Sequence, residues 1–273
     1  MKIKWLAAVF ALLSMLSGQS AFAQILINEY NPNPIGDEPT TSLVELLGPA
    51  GTSLDGYSII TIEGEGSSAG VLNGDFFDLT GITFDANGLA TISGSGADLE
   101  NPTGTLVLSQ GFTGTPSTTG TNDGTDLDTD NDGVLDIAFP GTVVHAVSAA
   151  DIATDFVYAS QLGGVDMIYP SALDPTDGMG AFFDTLASDE PEIVFRDRVT
   201  GQYYQGSLDF TLLTSADGTV VADGPGGVND IVFDATGLTG GAPNPTVIPE
   251  PASTALALVG SIALLAMRRR SRD

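Results

Sequence analysis

Short apolar clusters, separated by Gly, Asn, Asp, Thr and Pro, recur along most of the chain. Most are about four to seven residues long and rich in Val, Ile, Phe and Tyr, which is typical of β-strands. Between the two ends of the chain, no stretch of about 12 residues or more has the periodicity of an amphipathic helix. The pattern predicts strands at residues 25–30, 42–47, 57–63, 89–93, 105–109, 142–147, 155–158, 165–169, 192–196, 208–213, 219–222 and 230–233.

These strands and the turn signals between them predict an all-β fold, a sandwich or a barrel with long loops. The sequence Asp-Ala-Asn-Gly at residues 85–88 is expected to form a hairpin loop. One domain over residues 24–235 is the favoured division, and a separate lobe over residues 160–235 is the alternative. Residues 236–246, rich in Thr, Gly, Ala and Pro, are expected to form a flexible linker.

The first 23 residues have the features of a secretory signal peptide. Lys2 and Lys4 precede the apolar run 5–16, and Ala21-Phe22-Ala23 matches a small-x-small cleavage site. We therefore expect export through the Sec translocon and cleavage after Ala23.

The last part of the chain, residues 247–273, has three components in order. A Pro-Glu-Pro motif is followed by 16 uncharged residues, 252–267, and then by a cluster of arginines. A helix of that length spans about 24 Å, and snorkelling arginines extend its reach toward the ~30 Å of a bilayer core. By the positive-inside rule, the arginines stay in the cytoplasm and the preceding domain lies outside. The motif and cluster residues are Pro249, Glu250, Pro251, Arg268, Arg269, Arg270 and Arg272.

This tail resembles the PEP-CTERM sorting signal of exported Gram-negative proteins. The resemblance covers residues 247–273 only, and it implies recognition by an exosortase and cleavage near the Pro-Glu-Pro motif. The chain would be anchored transiently in the inner membrane and then moved to the cell surface or extracellular matrix. Since PEP-CTERM systems accompany exopolysaccharide production, the resemblance also implies association with that matrix.

Removal of both ends would leave a strongly acidic chain. Of 8 basic residues, 2 lie in the signal peptide and 4 in the tail, whereas of 35 acidic residues only Asp273 would be lost if Glu250 is retained. The remaining net charge of about −32 repels phosphates, which excludes nucleic acid as a partner, and it favours divalent cations. The chain has no cysteine, so its rigidity depends on its core and on any bound metal.

The most concentrated acidic motif, D-x-D-x-D-G-x-x-D, lies within residues 126–136. Alternating carboxylates place oxygens around one point, and the glycine permits a sharp reversal, as in calcium-binding loops. An EF-hand would have a glutamate where Phe139 stands, so the motif is similar instead to the loops of thrombospondin type-3 and related extracellular repeats. We expect structural Ca²⁺ here, with a solvated acidic turn as the alternative. The predicted ligands are Asp128, Asp130, Asp132, the carbonyl of Val134, and Asp136.

Three short pieces near the start of the expected domain narrow the fold class. They are Ile27-Asn28-Glu29, Val44-Glu45-Leu46 and Leu54-Asp55-Gly56-Tyr57. Their order and spacing resemble the lamin-tail domain, and the resemblance covers residues 25–63. It implies an immunoglobulin-like β-sandwich in which the two glutamates accept backbone or turn hydrogen bonds and the glycine permits a tight turn.

Other motifs carry weaker signals. Residues 66–70, Gly-Ser-Ser-Ala-Gly, match the pattern of a nucleophile elbow, but no helix is predicted after them, and the only histidine, His145, lies among valines. Asp174 and Asp177 predict a plain turn. Arg196 and Arg198 are expected to pair with nearby carboxylates such as Asp189, Glu190 or Asp209, and recognition of an anionic ligand is the alternative.

The sequence therefore predicts a non-enzymatic protein of the cell surface or extracellular matrix, with structural calcium and with polysaccharide or surface proteins as partners. The first alternative is a calcium-dependent carbohydrate-binding or adhesion module. The second is a secreted hydrolase that acts on polysaccharide through paired carboxylates.

Overall fold

The structure is a computed structural model, and it describes residues 24–32, 41–73, 77–95, 99, 103–117, 123–150, 154–167, 191, 193–206, 212–223, 241–242 and 244. Within these ranges the chain forms strands and two three-residue 3-10 turns, Gly66–Ser68 and Ser160–Leu162. The strands are β1 (Leu26–Tyr30), β2 (Thr41–Leu47), β3 (Tyr57–Glu63), β4 (Phe77–Asp78), β5 (Leu89–Ser95), β6 (Gly104–Gln110), β7 (Thr142–Ala149), β8 (Ile193–Arg196), β9 (Tyr203–Gly206), β10 (Leu212–Ser215) and β11 (Val220–Asp223).

Two antiparallel sheets make up the fold. The larger has seven strands in the order β11-β10-β9-β8-β1-β2-β5, and the smaller has four in the order β4-β3-β6-β7. Every ladder between named strands is antiparallel. The predicted all-β sandwich is therefore confirmed.

The main core lies between the two sheets. It combines Val44 and Leu46 of β2 with Ile59 of β3 and with Leu106 and Leu108 of β6, all of them fully or almost fully buried. These residues alternate along their strands with residues that face the other way, as the pleat of a strand requires. Burial of each large aliphatic side chain contributes about 1.5–3 kcal/mol, so this alternation is the main source of the sandwich's stability.

A second apolar cluster covers the outer face of the four-stranded sheet. Ile60, Ile62 and Val107 point away from the main core and pack with Leu127 and Tyr158 from the long connections. Since both faces of this sheet are buried, the acidic loop and the segment 154–162 are held against a rigid surface.

Residues 155–158, predicted as a strand, belong to this cover and not to a sheet. The Phe156 N–H donates to the carbonyl of Gly64, and the Tyr158 N–H donates to Oγ1 of Thr105. These two backbone N–H groups therefore donate to a carbonyl and to a side chain instead of to a neighbouring strand. The apolar side chains that suggested a strand pack in the second cluster. The strand prediction was wrong here.

The other predicted elements have mixed outcomes. In the segment 165–169, Val165 forms only an isolated parallel bridge with Val147, and residues 168–169 lie outside the described residues. The strand β9 and the two-residue strand β4 were not predicted. The predicted strand 230–233 lies outside the described ranges.

A β-bulge lies in β1, an interior strand of the larger sheet between β8 and β2. Ile27 pairs with Leu46 and Glu29 pairs with Glu45, so Asn28 is the extra residue of the bulge. The Asn28 side-chain amide donates to Oε1 of Glu45 at 2.7 Å, and Glu45 is fully buried. Burial raises the pKa of Glu45, and the hydrogen bond from Asn28 opposes that shift.

Two residues of the predicted linker pack on this bulge. The Gly241 N–H donates to Oε2 of Glu45 at 2.6 Å. The side-chain amide of the buried Asn244 donates to the carbonyls of Asn28 at 2.9 Å and Arg196 at 3.0 Å. Gly241 and Asn244, which lie beyond the predicted domain boundary at residue 235, therefore contact the sandwich.

Candidate metal centre

The acidic loop is anchored by Leu127. Its side chain is fully buried in the second cluster, and its N–H donates to the carbonyl of Gly70 at 2.9 Å. The Leu127 carbonyl accepts the N–H groups of Asp136 at 2.8 Å and Ile137 at 3.1 Å, which closes the loop at its base. The acidic residues between these points are thus held in one compact turn.

Two residues in the turn have left-handed backbone conformations. Asn131 has φ 54 and Gly133 has φ 84, in the region that glycine and asparagine adopt most readily. A Cβ at Gly133 would also lie 2.6 Å from the ring of Phe156. The sharp reversal predicted at Gly133 is therefore present. Both the left-handed backbone and the nearby ring of Phe156 disfavour a larger residue at this position.

Asp128 is the buried member of the loop. Its side chain is fully buried and accepts three hydrogen bonds, from Asp132 N–H at 3.1 Å, Gly133 N–H at 2.9 Å and the hydroxyl of Tyr158 at 2.8 Å. A Cβ at Gly70 would lie 2.5 Å from the Cβ of Asp128, so the neighbouring chain passes directly beside it. These contacts fix the carboxylate in one orientation.

Three of the predicted ligands come together around this carboxylate. Oxygens of Asp128, Asp130 and Asp136 all lie within 4.8 Å of one another, with Asp130 and Asp136 exposed to solvent. The negative charge of Asp132 is the main cause of a raised pKa at Asp130, followed by desolvation and by the charges of Asp136 and Asp128. Repulsion of this kind is relieved when a cation binds.

Asp132 and Val134 are not in this group of carboxylates. Oδ1 of Asp132 accepts the N–H of Val134 at 2.9 Å, and the Val134 side chain is exposed. Participation of Asp132 and of the Val134 carbonyl in metal binding stays a prediction. Within the described ranges, the group Asp128, Asp130 and Asp136 is the one cluster of His, Cys, Asp or Glu side chains with this spacing.

The donor set fits a divalent cation that prefers oxygen. A carboxylate has about four acceptor sites, so the three hydrogen bonds to Asp128 leave one for a metal. Asp136 accepts both the N–H and the hydroxyl of Thr129 through Oδ2, which leaves Oδ1 for another partner. Oδ1 of Asn131, in the same turn, is buried and has no hydrogen-bond partner among the described residues. Water and these oxygens together could supply the six to eight ligands that Ca²⁺ takes.

Two residues that support the loop were not predicted from the sequence. Tyr158 donates to Asp128, and Gln161 clamps the far side by donating to the Gly133 carbonyl at 2.8 Å and accepting the Leu135 N–H at 2.9 Å. Both lie more than 20 residues along the chain from their partners, so no local spacing signals them. The only feature of the sequence that could have suggested either contact is the aromatic character of Tyr158.

The residues of the nucleophile-elbow pattern do not form a serine-hydrolase site in the described part of the chain. Ser67 lies in a three-residue 3-10 turn, not before a helix. Nδ1 of His145 accepts the Ile27 N–H at 3.4 Å, and its ring lies 5.8 Å from that of Tyr203. Burial, with the charge of Arg196, lowers the pKa of His145 to about 4. His145 therefore belongs to the core between the sheets.

The remaining predicted sites lie outside the described residues. They include Ala23, the sorting motif Pro249, Glu250 and Pro251, the cluster Arg268, Arg269 and Arg270, the turn at Asp174 and Asp177, and the carboxylates Asp189, Glu190 and Asp209. Of the helices that the structure describes, none is long and apolar enough to cross a membrane.

Comparisons with family models, with curated proteins and with solved structures found no match to this chain.

Proposed function

We propose that this chain is an exported, exosortase-sorted, non-enzymatic protein of the cell surface or extracellular matrix, where it associates with exopolysaccharide. The observation that carries the proposal is the order of the tail: Pro-Glu-Pro, an uncharged run of 16 residues, and then arginines whose side chains can extend its reach across a membrane. The signal-peptide pattern before Ala23 supports it independently. The position of the single histidine within the core supports a structural role rather than a catalytic one.

The sandwich is proposed to be lamin-tail-like and immunoglobulin-like. In support, the pieces that carry the resemblance occupy neighbouring positions at the start of the fold: Ile27-Asn28-Glu29 lies in β1 beside Val44-Glu45-Leu46 in β2. Gly56, with φ 77, makes the turn into β3. Glu45 accepts a backbone hydrogen bond from Gly241, a role of the kind that the resemblance implies.

Replacement of Pro249 and Pro251 by alanine tests the sorting signal. We expect the double variant to remain uncleaved and to accumulate in the membrane fraction, whereas the wild-type chain is processed and leaves it. Substitution of Pro245, just outside the tail, is the matched control and should leave processing unchanged. Normal maturation of the Pro249/Pro251 variant would rule out the proposed signal.

Structural calcium in the acidic loop is the second part of the proposal. The proximity of the Asp128, Asp130 and Asp136 oxygens and the loop's spacing support it. Extracellular sites bind with dissociation constants of about 10⁻⁴–10⁻³ M, so about 10 mM calcium should add on the order of 1.5–3 kcal/mol to the free energy of unfolding. For a chain of this size, we expect Tm to rise by roughly 3–10 °C.

Three aspartate variants separate the metal centre from general charge effects. Asp130→Ala should remove most of the calcium-induced rise in Tm, because its carboxylate belongs to the group. Asp132→Ala should keep more of the rise if Asp132 stays outside the coordination. Asp217→Asn, in the exposed turn between β10 and β11, should keep all of it. Equal melting of the wild-type chain in calcium and in chelator would contradict the calcium assignment.

A further inference from the structure

The residue that would begin the exported chain, Gln24, lies at the surface directly before the first strand. Its side chain is exposed, whereas the next residue, Ile25, is buried in the main core. The first pair of the ladder between β1 and β2 joins Leu26 to Leu47, so Gln24 takes no part in it. Among the described residues, none hydrogen-bonds to Gln24. The start of the exported chain is therefore open to reaction, while the chain is fixed to the sandwich from the next residue onward.

Cleavage after Ala23 would place two mutually reactive groups on Gln24. One is the new α-amine, and the other is the carboxamide of the side chain. The α-amines of peptides titrate at about 7.7–8.0, so part of the population is uncharged and nucleophilic near neutral pH. Attack of this nitrogen on the carboxamide carbon closes a five-membered ring. Because Gln24 is exposed and outside the strand, closure of the ring breaks no contact that the sandwich depends on.

The rest of the exported chain supplies no second primary amine. The two lysines of the sequence, Lys2 and Lys4, lie in the signal peptide. The basic residues between the two terminal signals are Arg196 and Arg198, and a guanidinium stays protonated and is not a nucleophile. After signal cleavage, the α-amine of Gln24 is therefore the single primary amine of the chain.

We propose that Gln24 cyclises to pyroglutamate once the signal peptide is removed, so that the mature chain has no primary amine at all. The α-nitrogen forms a bond to the side-chain carbonyl carbon, and the bond from that carbon to the amide nitrogen breaks. The leaving nitrogen takes up the proton that the attacking amine loses and departs as ammonia. The reaction needs no oxidant, reductant or second substrate. The inference rests on the proposed export, because it requires cleavage after Ala23.

Loss of the amine would change which reactions the mature chain can enter. The lactam carries no positive charge, so the acidic chain loses its N-terminal cation. An enzyme that removes residues by binding a free α-amine would find none. If the new C-terminal carbonyl near the Pro-Glu-Pro motif is transferred to an amine, the acceptor must be a different kind of molecule, because a second copy of the chain offers no amine. The mature chain is thus an acyl donor and not an acceptor.

Intact mass and N-terminal peptide mapping of the chain released by producing cells test the proposal. We expect the first peptide to begin at residue 24 and to be lighter than its unmodified sequence by the mass of one ammonia. An amine-reactive succinimidyl ester should leave the denatured mature chain unlabelled. The uncleaved precursor, with the amines of Met1, Lys2 and Lys4, is the positive control for labelling.

The variant Gln24→Asn is the matched control. Asparagine keeps the carboxamide but is one methylene shorter, so attack by the α-amine would require a strained four-membered ring. We expect this variant to keep its full mass and to take up one label per chain. Because the position is exposed and lies outside β1, the variant should unfold at the same temperature as the wild-type chain.

Three outcomes would overturn the proposal. A first peptide that begins at Gln24 with its full mass would exclude cyclisation and leave the proposed export intact. Retention of residues 1–23, or a start at another residue, would overturn both this inference and the predicted cleavage after Ala23. Equal labelling of the wild-type chain and the Gln24→Asn variant would show that the amine persists.

Discussion

At the scale of single residues, His145 shows how burial changes the role of a side chain. Histidine is often chosen for catalysis because its pKa lies near neutrality. Here burial and the nearby Arg196 lower the pKa of His145 to about 4, and its Nδ1 accepts a hydrogen bond from the bulged strand β1. The ring therefore stays neutral near pH 7 and acts as an acceptor within the fold.

The stability of the protein should depend on the protonation of His145 in mild acid. Between the unfolded pKa of about 6.5 and the folded pKa of about 4, the unfolded chain binds more protons, so stability falls as pH falls through this window. The loss attributable to His145 is on the order of 3 kcal/mol. This loss of stability is complete below about pH 4 and absent above about pH 6.5.

Urea denaturation of the wild-type chain and of His145→Asn, from pH 4 to pH 7, measures this effect. Asparagine keeps an acceptor near the position of Nδ1 but does not titrate, so the variant should lose less stability across the window. Parallel pH profiles for the two proteins would show that His145 does not titrate as the structure implies.

The acidic loop shows which parts of a site a sequence can specify. The spacing of Asp128, Asp130 and Asp136 and the glycine at 133 were enough to predict the turn and the clustering of carboxylates, because those features are local. The supporting contacts from Tyr158 and Gln161 depend on tertiary packing, which no local pattern encodes.

At the scale of elements, strands were predicted correctly where apolar and polar residues alternate along the sequence. They were predicted incorrectly where tertiary packing determines the backbone conformation. The strands β1, β2 and β3 have regular apolar positions and were predicted almost at their observed limits. Residues 155–158 have the same composition, but their backbone hydrogen bonds go to Gly64 and to the side chain of Thr105. The strand β9, Tyr-Tyr-Gln-Gly, has no clear alternation, and its pairing with β8 and β10 makes it a strand.

The bulge at Asn28 holds the segment 241–244 to the sheet. Asn244 donates to two carbonyls, one on β1 and one on β8, so a single amide joins this segment to two strands. Asn244→Ala leaves both carbonyls without this donor and should lower the free energy of unfolding by about 1–3 kcal/mol. Chemical denaturation provides the measurement.

The control for this contact is Asn87→Ala. Asn87 lies in the exposed turn before β5, where its amide contacts Asp85, so its loss should cost less than about 0.5 kcal/mol. If Asn244→Ala were no more destabilising than Asn87→Ala, the segment 241–244 would contribute nothing to the stability of the sandwich.

At the scale of the whole molecule, the two sheets and the second cluster together explain how an acidic chain without disulfides can be rigid. The four-stranded sheet is buried on both faces, and the long connections that cover it also form the acidic loop. Calcium bound at this loop would hold together the acidic turn, which is itself anchored to the second apolar cluster. Such an arrangement suits an exported protein, because calcium is plentiful outside the cell.

The central claim is that this sandwich works outside the cytoplasm after losing both of its terminal signals. The most direct measurement is the intact mass and location of the chain recovered from fractionated producing cells. We predict a species outside the cytoplasm that begins at Gln24 and ends near the Pro249-Glu250-Pro251 motif. Recovery of the complete 273-residue chain as a soluble cytoplasmic protein, with both ends uncut, would contradict the account.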